Sequence, residues 1–360
     1  MAYTDIDDPS VHFQATTYTG GGANTEVTNS GNSDLKPDFL WIKNRTAGYA
    51  HFVVDSNRNI SYAQNSSNAP YLETDSTAVE NNNQNWMQSV NTDGFTTGIA
   101  EHTNCNSGSA YVAWQWKANG GTTASNSDGT ITSTTQVNSD AGFSILTYTM
   151  GSGNDTVGHG LGVKPDIVIT KARQRGDANG FWSVYTTLID GSLDYLRLND
   201  TNAKADSSLA APTTTVFTGA GSGTVAYRSF VAYCFASKQG YSKFGKYVGN
   251  GNSNGPFIYT GFKPAFVMTK KSSAAGGGWF MQDIKRGIKN NDTNTPVLQA
   301  NGNYSEADVG TTNYEIDFLS NGFKLRDSNT YVNLSGTTYI YMAFAENPFT
   351  TSTGIPTTAR

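Results

Sequence analysis

The feature that most constrains this fold is a motif that occurs three times along the chain. It is a Lys-Pro pair followed by a run of apolar residues and a second lysine, at residues 36–43, 164–171 and 263–270. A closing aromatic segment follows each motif in the same order, at residues 111–116, 230–235 and 339–344. An internal repeat of this length fixes the architecture before any local signal does. We therefore expect three copies of one module.

The landmarks of the repeat also set the boundaries that we predict. They are 1–117 for the first copy, 118–140 for a polar linker, 141–241 for the second copy, 242–346 for the third copy, and 347–360 for a C-terminal tail. The linker is rich in Gly, Ser, Thr and Asn, a composition typical of connecting segments. No such segment separates the second and third copies, so we expect those two to pack rigidly.

Composition indicates an all-β protein. Charged residues are 15% of the chain and aromatic residues 12%, and there are 38 glycines. Disordered chains lack aromatic residues, whereas all-β folds combine them with many turn formers. In the first closing segment Val112, Trp114 and Trp116 alternate onto one face, which indicates a strand with one face against a core. The prediction is three tandem β-sandwiches, jelly-roll-like or lectin-like, with a closed barrel as the alternative.

The strand that follows each repeated proline differs from the closing strand. In the first copy Phe39 and Trp41 point to one face, and Leu40 and Ile42 point to the other. A strand that is apolar on both faces is covered on both sides. We therefore expect each of these strands in the interior of its sheet, with Pro37 at the strand start, where a missing N–H is tolerated.

Charge, cysteine content and hydropathy exclude several function classes. The net charge of −5 disfavours binding to nucleic acid. Cys105 and Cys234 lie at different positions of the repeat, so a disulfide framework is not expected. The N-terminus has no signal-peptide pattern, and no apolar run approaches the roughly 20 residues that span a bilayer. We expect a protein made in a cytosol, without membrane insertion.

The sequence offers little for metal or cofactor chemistry. Four histidines, His12, His51, His102 and His159, are scattered without metal-ligand spacing. A run of acidic residues could coordinate calcium through carboxylate oxygens: Asp190, Asp194, Asp200 and Asp206. Its spacing matches no calcium loop, and solvated loop acids are the favoured interpretation. We predict no cofactor and no metal.

One pair of carboxylates has a spacing found in the catalytic acids of glycosidases. Glu315 and Asp317 share a strand face about 7 Å apart, within the ~6.5–9.5 Å used by inverting glycoside hydrolases. The first copy has Met87 and Ser89 at the same offsets, so the pair is not part of the module. We interpret both acids as surface groups and expect no enzyme activity.

Aromatic residues beside polar loops suggest a second kind of site. Flat rings stack on sugar rings, and neighbouring Asn and Asp side chains hydrogen-bond hydroxyls. The candidates for binding a glycan are Trp182, Tyr185, Tyr195 and Trp279. The alternative is that they belong to the core, which is favoured because Trp182 and Trp279 occupy matching repeat positions.

Several motifs together resemble a known family. They are the Tyr-Thr-Gly openings, Gly160-Leu161-Gly162-x-Lys164-Pro165, Trp182-Ser183-Val184-Tyr185, Tyr195-Leu196-x-Leu198-Asn199, Val231-Ala232-Tyr233-Cys234-Phe235-Ala236 and Gly240-Tyr241-Ser242-Lys243-Phe244-Gly245. The set is similar to tandem-repeat virion or tail-fibre-like proteins of bacteriophages that infect marine bacteria such as cyanobacteria. The resemblance spans nearly the whole chain and carries no catalytic residues.

The resemblance implies a structural protein on the exterior of a phage particle, assembled in the host cytoplasm. A fibre or spike that contacts host-surface glycans is the leading expectation. A capsid decoration protein without receptor binding and a glycan-degrading enzyme are the alternatives. The expected partners are other virion proteins and further copies of the chain, with a trimer as one option, because multiplying weak sites raises avidity.

Overall fold

The fold is almost entirely β, as expected, and its large and small sheets stack as β-sandwiches. The computed structural model describes residues 4–60, 70–81, 86–98, 105–174, 180–219, 228–288, 290, 293, 295–309 and 314–357. Within these residues the helical elements are one four-residue helix, α1 (Glu306–Val309), and 3₁₀ turns that include Pro9–Val11 and Ile284–Arg286.

The first copy of the repeat forms a five-stranded antiparallel sheet and a smaller three-stranded sheet. Its strands are β1 (Phe13–Thr19), β2 (Glu26–Val27), β3 (Phe39–Asn44), β4 (Phe52–Asp55), β5 (Leu72–Glu73), β6 (Met87–Val90), β7 (Phe95–Thr97) and β8 (Ala110–Trp116). The strand order is β1-β8-β3-β4-β5 in the large sheet and β2-β7-β6 in the small one.

The second copy repeats this order with added strands. Its strands are β9 (Ala124–Asn126), β10 (Ser133–Asn138), β11 (Phe143–Thr149), β12 (Thr156–Gly158), β13 (Ile167–Ala172), β14 (Trp182–Thr186), β15 (Asp194–Arg197), β16 (Ala205–Asp206), β17 (Val216–Thr218) and β18 (Ser229–Phe235). The large sheet runs β16-β15-β14-β13-β18-β11-β10-β9, and β12 pairs with β17.

The third copy returns to the order of the first. Its strands are β19 (Ser242–Val248), β20 (Phe257–Tyr259), β21 (Phe262–Lys271), β22 (Trp279–Asp283), β23 (Leu298–Gln299), β24 (Ile316–Leu319), β25 (Gly322–Leu325) and β26 (Thr338–Pro348). The sheets run β19-β26-β21-β22-β23 and β20-β25-β24. The strands that follow the repeated prolines, β3, β13 and β21, lie inside their sheets in all copies, which confirms the prediction from their two apolar faces.

Each copy has a core of its own between its large and small sheets. In the first copy Leu40 and Ile42 on β3 pack there with Phe52 on β4 and Phe95 on β7. Corresponding clusters form around Val168 in the second copy and around Val267 in the third. One face of each large sheet is therefore buried within its own copy.

The opposite faces of the three large sheets meet in one shared core. Phe39 of the first copy lies 4.4 Å from Tyr233 of the second, measured between ring centroids. Phe344 of the third copy lies 5.1 Å from Phe13 and 5.9 Å from Phe235. The copies are thus arranged around a common centre, and the repeat itself gave no indication of this.

The closing strands supply the middle of this shared core. Trp116, Phe235 and Phe344 are 3%, 2% and 1% exposed, and each occupies the same register position opposite the interior strand of its sheet. The burial of Trp116 confirms the alternation predicted for the closing strand, and Phe235 and Phe344 are buried at the equivalent places. They bury one another: the ring centroids of Trp116 and Phe344 are 5.4 Å apart.

The segment 118–140 is not the polar linker expected from its composition. Its strands β9 and β10 extend the second sheet, because β10 pairs with β11 along residues 133–138. Asp38 of the first copy accepts hydrogen bonds from the backbone N–H groups of Ala118 and Gly120. The sequence pattern did not reveal this strand because Val137 is the one apolar residue of β10 that packs against the core, and the other residues of β10 are polar.

Candidate binding surface

The tryptophans considered for glycan binding lie between copies, where no sugar can reach them. Trp182 and Trp279 are each 1% exposed. The indole N–H of Trp182 donates to the backbone carbonyl of Glu73 in the first copy (2.7 Å). That of Trp279 donates to the carbonyl of Arg197 in the second copy (2.8 Å). Both tryptophans therefore belong to the core, and the glycan assignment does not hold for them.

The two tyrosines considered with them form a separate pair. Tyr185 and Tyr195 face each other across β14 and β15, with ring centroids 6.1 Å apart. Both are half-buried, and burial raises the pKa of Tyr185. Their rings pack against each other instead of opening to solvent together, so the four candidate residues do not form one surface.

The lysine that closes each repeated motif is buried at the same register position in every copy. Lys43, Lys171 and Lys270 are each 0% exposed. A buried ammonium needs hydrogen-bond acceptors around it, and here backbone carbonyls supply them. Burial lowers the pKa of Lys270 to about 8.

Each of these lysines reaches into a neighbouring copy. Lys171 of the second copy donates to the carbonyl of Thr77 in the first (3.1 Å). Lys270 of the third copy donates to the carbonyl of Asn202 in the second (3.0 Å). Lys43 of the first copy donates to the carbonyl of Asn303 in the third (3.3 Å), so these bonds connect the three copies in a closed ring. The repeat lysines thus join the three copies head to tail.

Buried charges hold the contact between the first and second copies, which we call contact A. Arg58 and Asp55 form an ion pair (2.6 Å) with both side chains fully buried. Tyr233 of the second copy donates its hydroxyl to Asp55 (2.7 Å). Glu80 accepts from Arg58 (2.9 Å) and from Arg173 of the second copy (2.7 Å). Burial opposes ionisation of Glu80, but these two guanidinium groups lower its pKa overall.

The contact between the third and first copies, contact C, repeats that arrangement. Arg286 and Asp283 form a fully buried ion pair (2.6 Å). Trp114 of the first copy donates its indole N–H to Asp283 (3.0 Å). Glu306 accepts from Arg286 (3.0 Å) and from Arg45 of the first copy (2.9 Å). An Asp–Arg pair, a bridging Glu and a second Arg therefore recur at two of the three contacts.

The contact between the second and third copies, contact B, lacks these charges. Thr186 and Ile189 occupy the positions of the Asp and the Arg, and Met342 of the third copy replaces the aromatic donor. The backbone N–H of Lys204 donates to the carbonyl of Ser272 (2.8 Å), as those of Glu80 and Glu306 do to the matching arginines. Lys204 thus occupies the position of the bridging glutamate.

The position of Lys204 argues against the calcium site considered above. Asp190, Asp194 and Asp206 come close enough together to share one cation, whereas Asp200 is not in this group. The Lys204 ammonium lies among the three carboxylates, at 2.5 Å, 2.8 Å and 2.7 Å from their oxygens. The ammonium supplies the positive charge that a metal ion would bring. The cluster is therefore an ion-pair network between Lys204 and the three aspartates.

Asp317 is buried and not the surface group that we expected. Its exposure is 4%, and its carboxylate accepts from the guanidinium of Arg326 (2.5 Å). Glu315 lies just before β24 and accepts a backbone hydrogen bond from the N–H of Arg326 (2.9 Å). Of the two carboxylates considered for glycoside hydrolysis, Asp317 is therefore engaged by Arg326, and Glu315 is half-buried.

The histidines in the described residues have structural surroundings. His51 is buried, and its Nδ1 accepts from the indole N–H of Trp41 (2.8 Å). Burial, together with the nearby Lys43 ammonium, holds the pKa of His51 well below its usual range. Burial also lowers the pKa values of His12 and His159. His102 lies outside the described residues.

A groove beside β19 and β20 has the features of a ligand site. It encloses about 470 Å³ and is lined by polar residues and two aromatic rings. Tyr259 and Phe349 are 62% and 38% exposed, which is unusual for side chains of this size. Gln239 and Lys243 add hydrogen-bond donors to the same groove. Tyr259 is not a landmark of the repeat, so a search limited to recurring positions misses it.

Among the described residues no helix is both long and apolar enough to cross a bilayer. Comparison with curated proteins and with solved structures found no match for this chain. One family model matches residues 8–348, a range that takes in all three copies and β10. Since this range covers most of the chain, the protein belongs to the family described as "Domain of unknown function (DUF7483)".

Proposed function

We propose that this protein is a structural component of the exterior of a bacteriophage particle, where it contacts glycans of the host surface. The observation that carries the proposal is the ring of three copies closed on itself by buried side chains. The ammonium groups of Lys43, Lys171 and Lys270 each donate one hydrogen bond to a neighbouring copy. The buried polar residues therefore serve the rigidity of the assembly.

Rigidity of this kind suits an appendage that must keep its shape outside a cell. The aromatic core links all three large sheets, and contacts A and C add buried ion pairs to it. A buried pair costs several kcal/mol when one partner is lost, so each contact tolerates little local opening. A catalytic function would instead favour mobile loops around a pocket of polar groups.

The groove at Tyr259 is the surface that we assign to the glycan. An exposed aromatic face packs against the C–H face of a sugar, while neighbouring donors bind its hydroxyls. Tyr259 supplies the face, and Lys243, Gln239 and Thr260 surround it. We therefore assign the glycan to this groove and not to the buried residues Trp182 and Trp279.

A binding experiment tests this assignment. Surface polysaccharide from the host is immobilised, and binding of the purified chain is compared with that of Tyr259→Ala. The expected result is at least tenfold weaker binding by the variant, since burying an aromatic face against a sugar contributes about 25 cal/mol per Å² of apolar area removed from water. Tyr304→Ala, at a second exposed tyrosine (49%), is the matched control and should bind normally. Equal binding by both variants would remove the groove from the proposal.

Location on the particle needs a separate experiment. Gold-labelled antibody against the chain is applied to purified particles and viewed by electron microscopy. We expect label on the tail or its appendages. Label spread over the capsid lattice would favour the decoration protein, an alternative supported by the threefold arrangement of the copies, which matches threefold positions of such a lattice. Absence of label from the particle would contradict the virion role.

Two further expectations belong to this proposal. Incubation of the chain with host polysaccharide should release no reducing ends, and release would support the glycan-degrading enzyme. We also propose that the chain assembles into a homo-oligomer on the particle, with a trimer as the first candidate. Light scattering of the purified chain and a particle map test the oligomer, and a single copy in both would contradict it.

A further inference from the structure

The three large sheets have equivalent edges, and these edges are treated differently. In each copy the first strand pairs with the closing strand on one side: β1 with β8, β11 with β18, and β19 with β26. The other side of each first strand is a sheet edge. Exposed edges are templates for pairing with another strand, and proteins normally cover or charge them.

The chain covers the edge of β11 with its own strand β10. The pairing is antiparallel, with Phe143, Ile145 and Thr147 opposite Asn138, Gln136 and Thr134. The side-chain amide of Asn57, in the first copy, also donates to the carbonyl of Thr134 (2.9 Å) and so helps to hold β10 in place.

The edge of β19 is covered by a turn and guarded by charge. Ser242 exchanges backbone hydrogen bonds with Lys238 (2.9 and 3.0 Å), and the N–H of Phe244 donates to the hydroxyl of Ser237 (3.1 Å). Lys246 follows on the same side of the strand. A lysine on an edge strand discourages pairing with other chains.

The edge of β1 has neither protection. Backbone bonds at both ends of the β1–β8 pair, from Gly20 to Ser109 and from Lys117 to His12, place the even-numbered residues of β1 against β8. Alternation then points the backbone groups of Phe13, Ala15 and Thr17 away from β8. Within the described part of the chain no hydrogen bond uses the N–H or C=O of these three residues.

Two of these residues are nevertheless buried. Phe13 and Ala15 are only 2% and 3% exposed. Buried backbone groups are almost always paired, and leaving one unpaired costs about 1–3 kcal/mol. Phe13 and Ala15 line a groove of about 140 Å³, together with Gly31, Ile284 and Lys285.

The groove matches the place that β10 fills in the second copy. Lys285 occupies the position of Asn57, which binds the carbonyl of Thr134 on β10. In the first copy the Lys285 ammonium donates instead to the hydroxyl of Ser30, across the groove (3.0 Å). Because Lys285 occupies the position of Asn57, it can donate to the backbone of a strand added at β1.

We propose that the edge of β1 is a strand-addition site for an extended, uncharged segment of another protein. The segment would pair antiparallel with Phe13, Ala15 and Thr17, as β10 pairs with the equivalent residues of β11. An uncharged segment fits because β1 carries no charged residue and β10 is built from Ser, Thr, Gln, Val and Asn. This inference does not depend on the glycan groove or on the position of the protein in a particle.

Geometry favours another protein over a second copy of this chain. The edge lies in a recess, as the burial of Phe13 and Ala15 records. Two recessed edges cannot approach within the ~4.7–4.9 Å that paired strands require. A single extended segment can enter the recess, and main-chain bonds then give most of its affinity.

A peptide of residues 130–139, which carries no charged side chain, is the probe for this site, with both ends blocked and a fluorophore attached. Fluorescence anisotropy with the full-length chain should give saturable binding at one peptide per chain. Thr17→Lys copies the residue that guards β19 and should weaken binding at least tenfold. Thr134→Lys adds the same charge to a strand already paired on both sides and should leave binding unchanged. No binding to the unaltered chain, or equal binding by Thr17→Lys, would overturn the proposal.

Hydrogen exchange gives an independent readout that a folding defect would not imitate. In the free chain the amides of Ala15 and Thr17 should exchange at least tenfold faster than those of Gln14 and Thr16, and added peptide should remove the difference. Protection of Ala15 and Thr17 in the free chain, together with a dimer that Thr17→Lys dissociates, would assign the edge to a second copy and overturn our choice of partner.

Discussion

Contacts A and B join neighbouring copies at the same positions with opposite chemistry. Contact A buries the Asp55–Arg58 ion pair and receives a hydroxyl donor from Tyr233. In contact B, Thr186 and Ile189 occupy the equivalent positions on one copy, and Met342 occupies the position of Tyr233 on the other. The donor on one copy changes together with the acceptor on the other, so each contact is satisfied in its own way.

Contact C shows that this matching is systematic. There Asp283 receives the indole N–H of Trp114, and Arg286 lies over the indole ring at 5.7 Å from its centroid. Because a buried polar atom must keep a partner, Tyr233 and Trp114 each require an aspartate opposite them. Met342 requires none. Closure of the ring thus needs shape complementarity at every contact, and the buried charges distinguish contacts A and C from contact B.

The largest expected effect is the loss of one buried charge at contact A. Asp55→Ala leaves Arg58 and the hydroxyl of Tyr233 without their shared partner, and we expect it to lower the free energy of unfolding by about 3–5 kcal/mol. Thr186→Ala, at the equivalent position of contact B, should cost about 1 kcal/mol. Urea unfolding of both variants measures the difference. Equal losses would contradict the distinction between the two contacts.

Converting contact A to the chemistry of contact B should be much cheaper than breaking it. In the triple variant Asp55→Thr, Arg58→Ile, Tyr233→Met, no buried charge or hydroxyl is left unpaired, because Glu80 keeps Arg173. We expect the free energy of unfolding to fall by less than about 2 kcal/mol, since buried ion pairs are often replaceable by apolar residues. A loss larger than that of Asp55→Ala would mean that the charges themselves stabilise the contact.

Contact C should be the most sensitive to acid. His51 occupies the position of Trp182 and Trp279 there, and its folded-state pKa is lowered by burial. The unfolded chain therefore binds a proton below about pH 6.5 that the folded chain does not, so stability falls as the pH drops, by up to about 1.4 kcal/mol per pH unit. Chemical unfolding at pH 7 and pH 5 should show this loss. His51→Gln should reduce the slope by one proton, and an unchanged slope would assign the acid sensitivity elsewhere.

The smallest effect is expected at the carboxylates of contact B. Lys204 pairs with Asp190 and Asp206, which are 45% and 81% exposed, and such pairs contribute about 0–1 kcal/mol each. Asp206→Asn, which leaves the buried Asp194 paired with Lys204, should therefore shift the urea midpoint only slightly, and 1 mM calcium should leave the melting temperature of the unaltered chain unchanged. Stabilisation of the unaltered chain by calcium would show that a metal ion can displace the lysine.

The sequence predicted what repetition and alternation can encode. The interior position of the strands after Pro37, Pro165 and Pro264 followed from their two apolar faces, and burial of Trp116 followed from the period of the closing strand. Neither pattern says what covers a buried face. The outer face of each large sheet could have met solvent, a partner chain or another copy, and only the packing identifies the other copies.

The same reasoning could not predict the buried charges or the groove beside β1. Lys43 ends an apolar run, which normally marks the point where a strand reaches solvent, and one of its acceptors lies in a loop 260 residues away. Asp55 and Arg58 form a local i, i+3 pair, but their partner Tyr233 is 178 residues from Asp55. The edge of β1 became visible only by comparison with β11, because its unpaired groups are part of the backbone and leave no mark in the side-chain pattern.

Calorimetric unfolding of the full-length chain tests the central claim that the three copies share one core. A shared core predicts one cooperative transition, and Phe344→Ala, which removes a ring at the centre, should shift that whole transition to lower temperature by an amount equivalent to about 3–5 kcal/mol. Two or three separate transitions, of which Phe344→Ala moves only one, would contradict the claim and restore three independent modules.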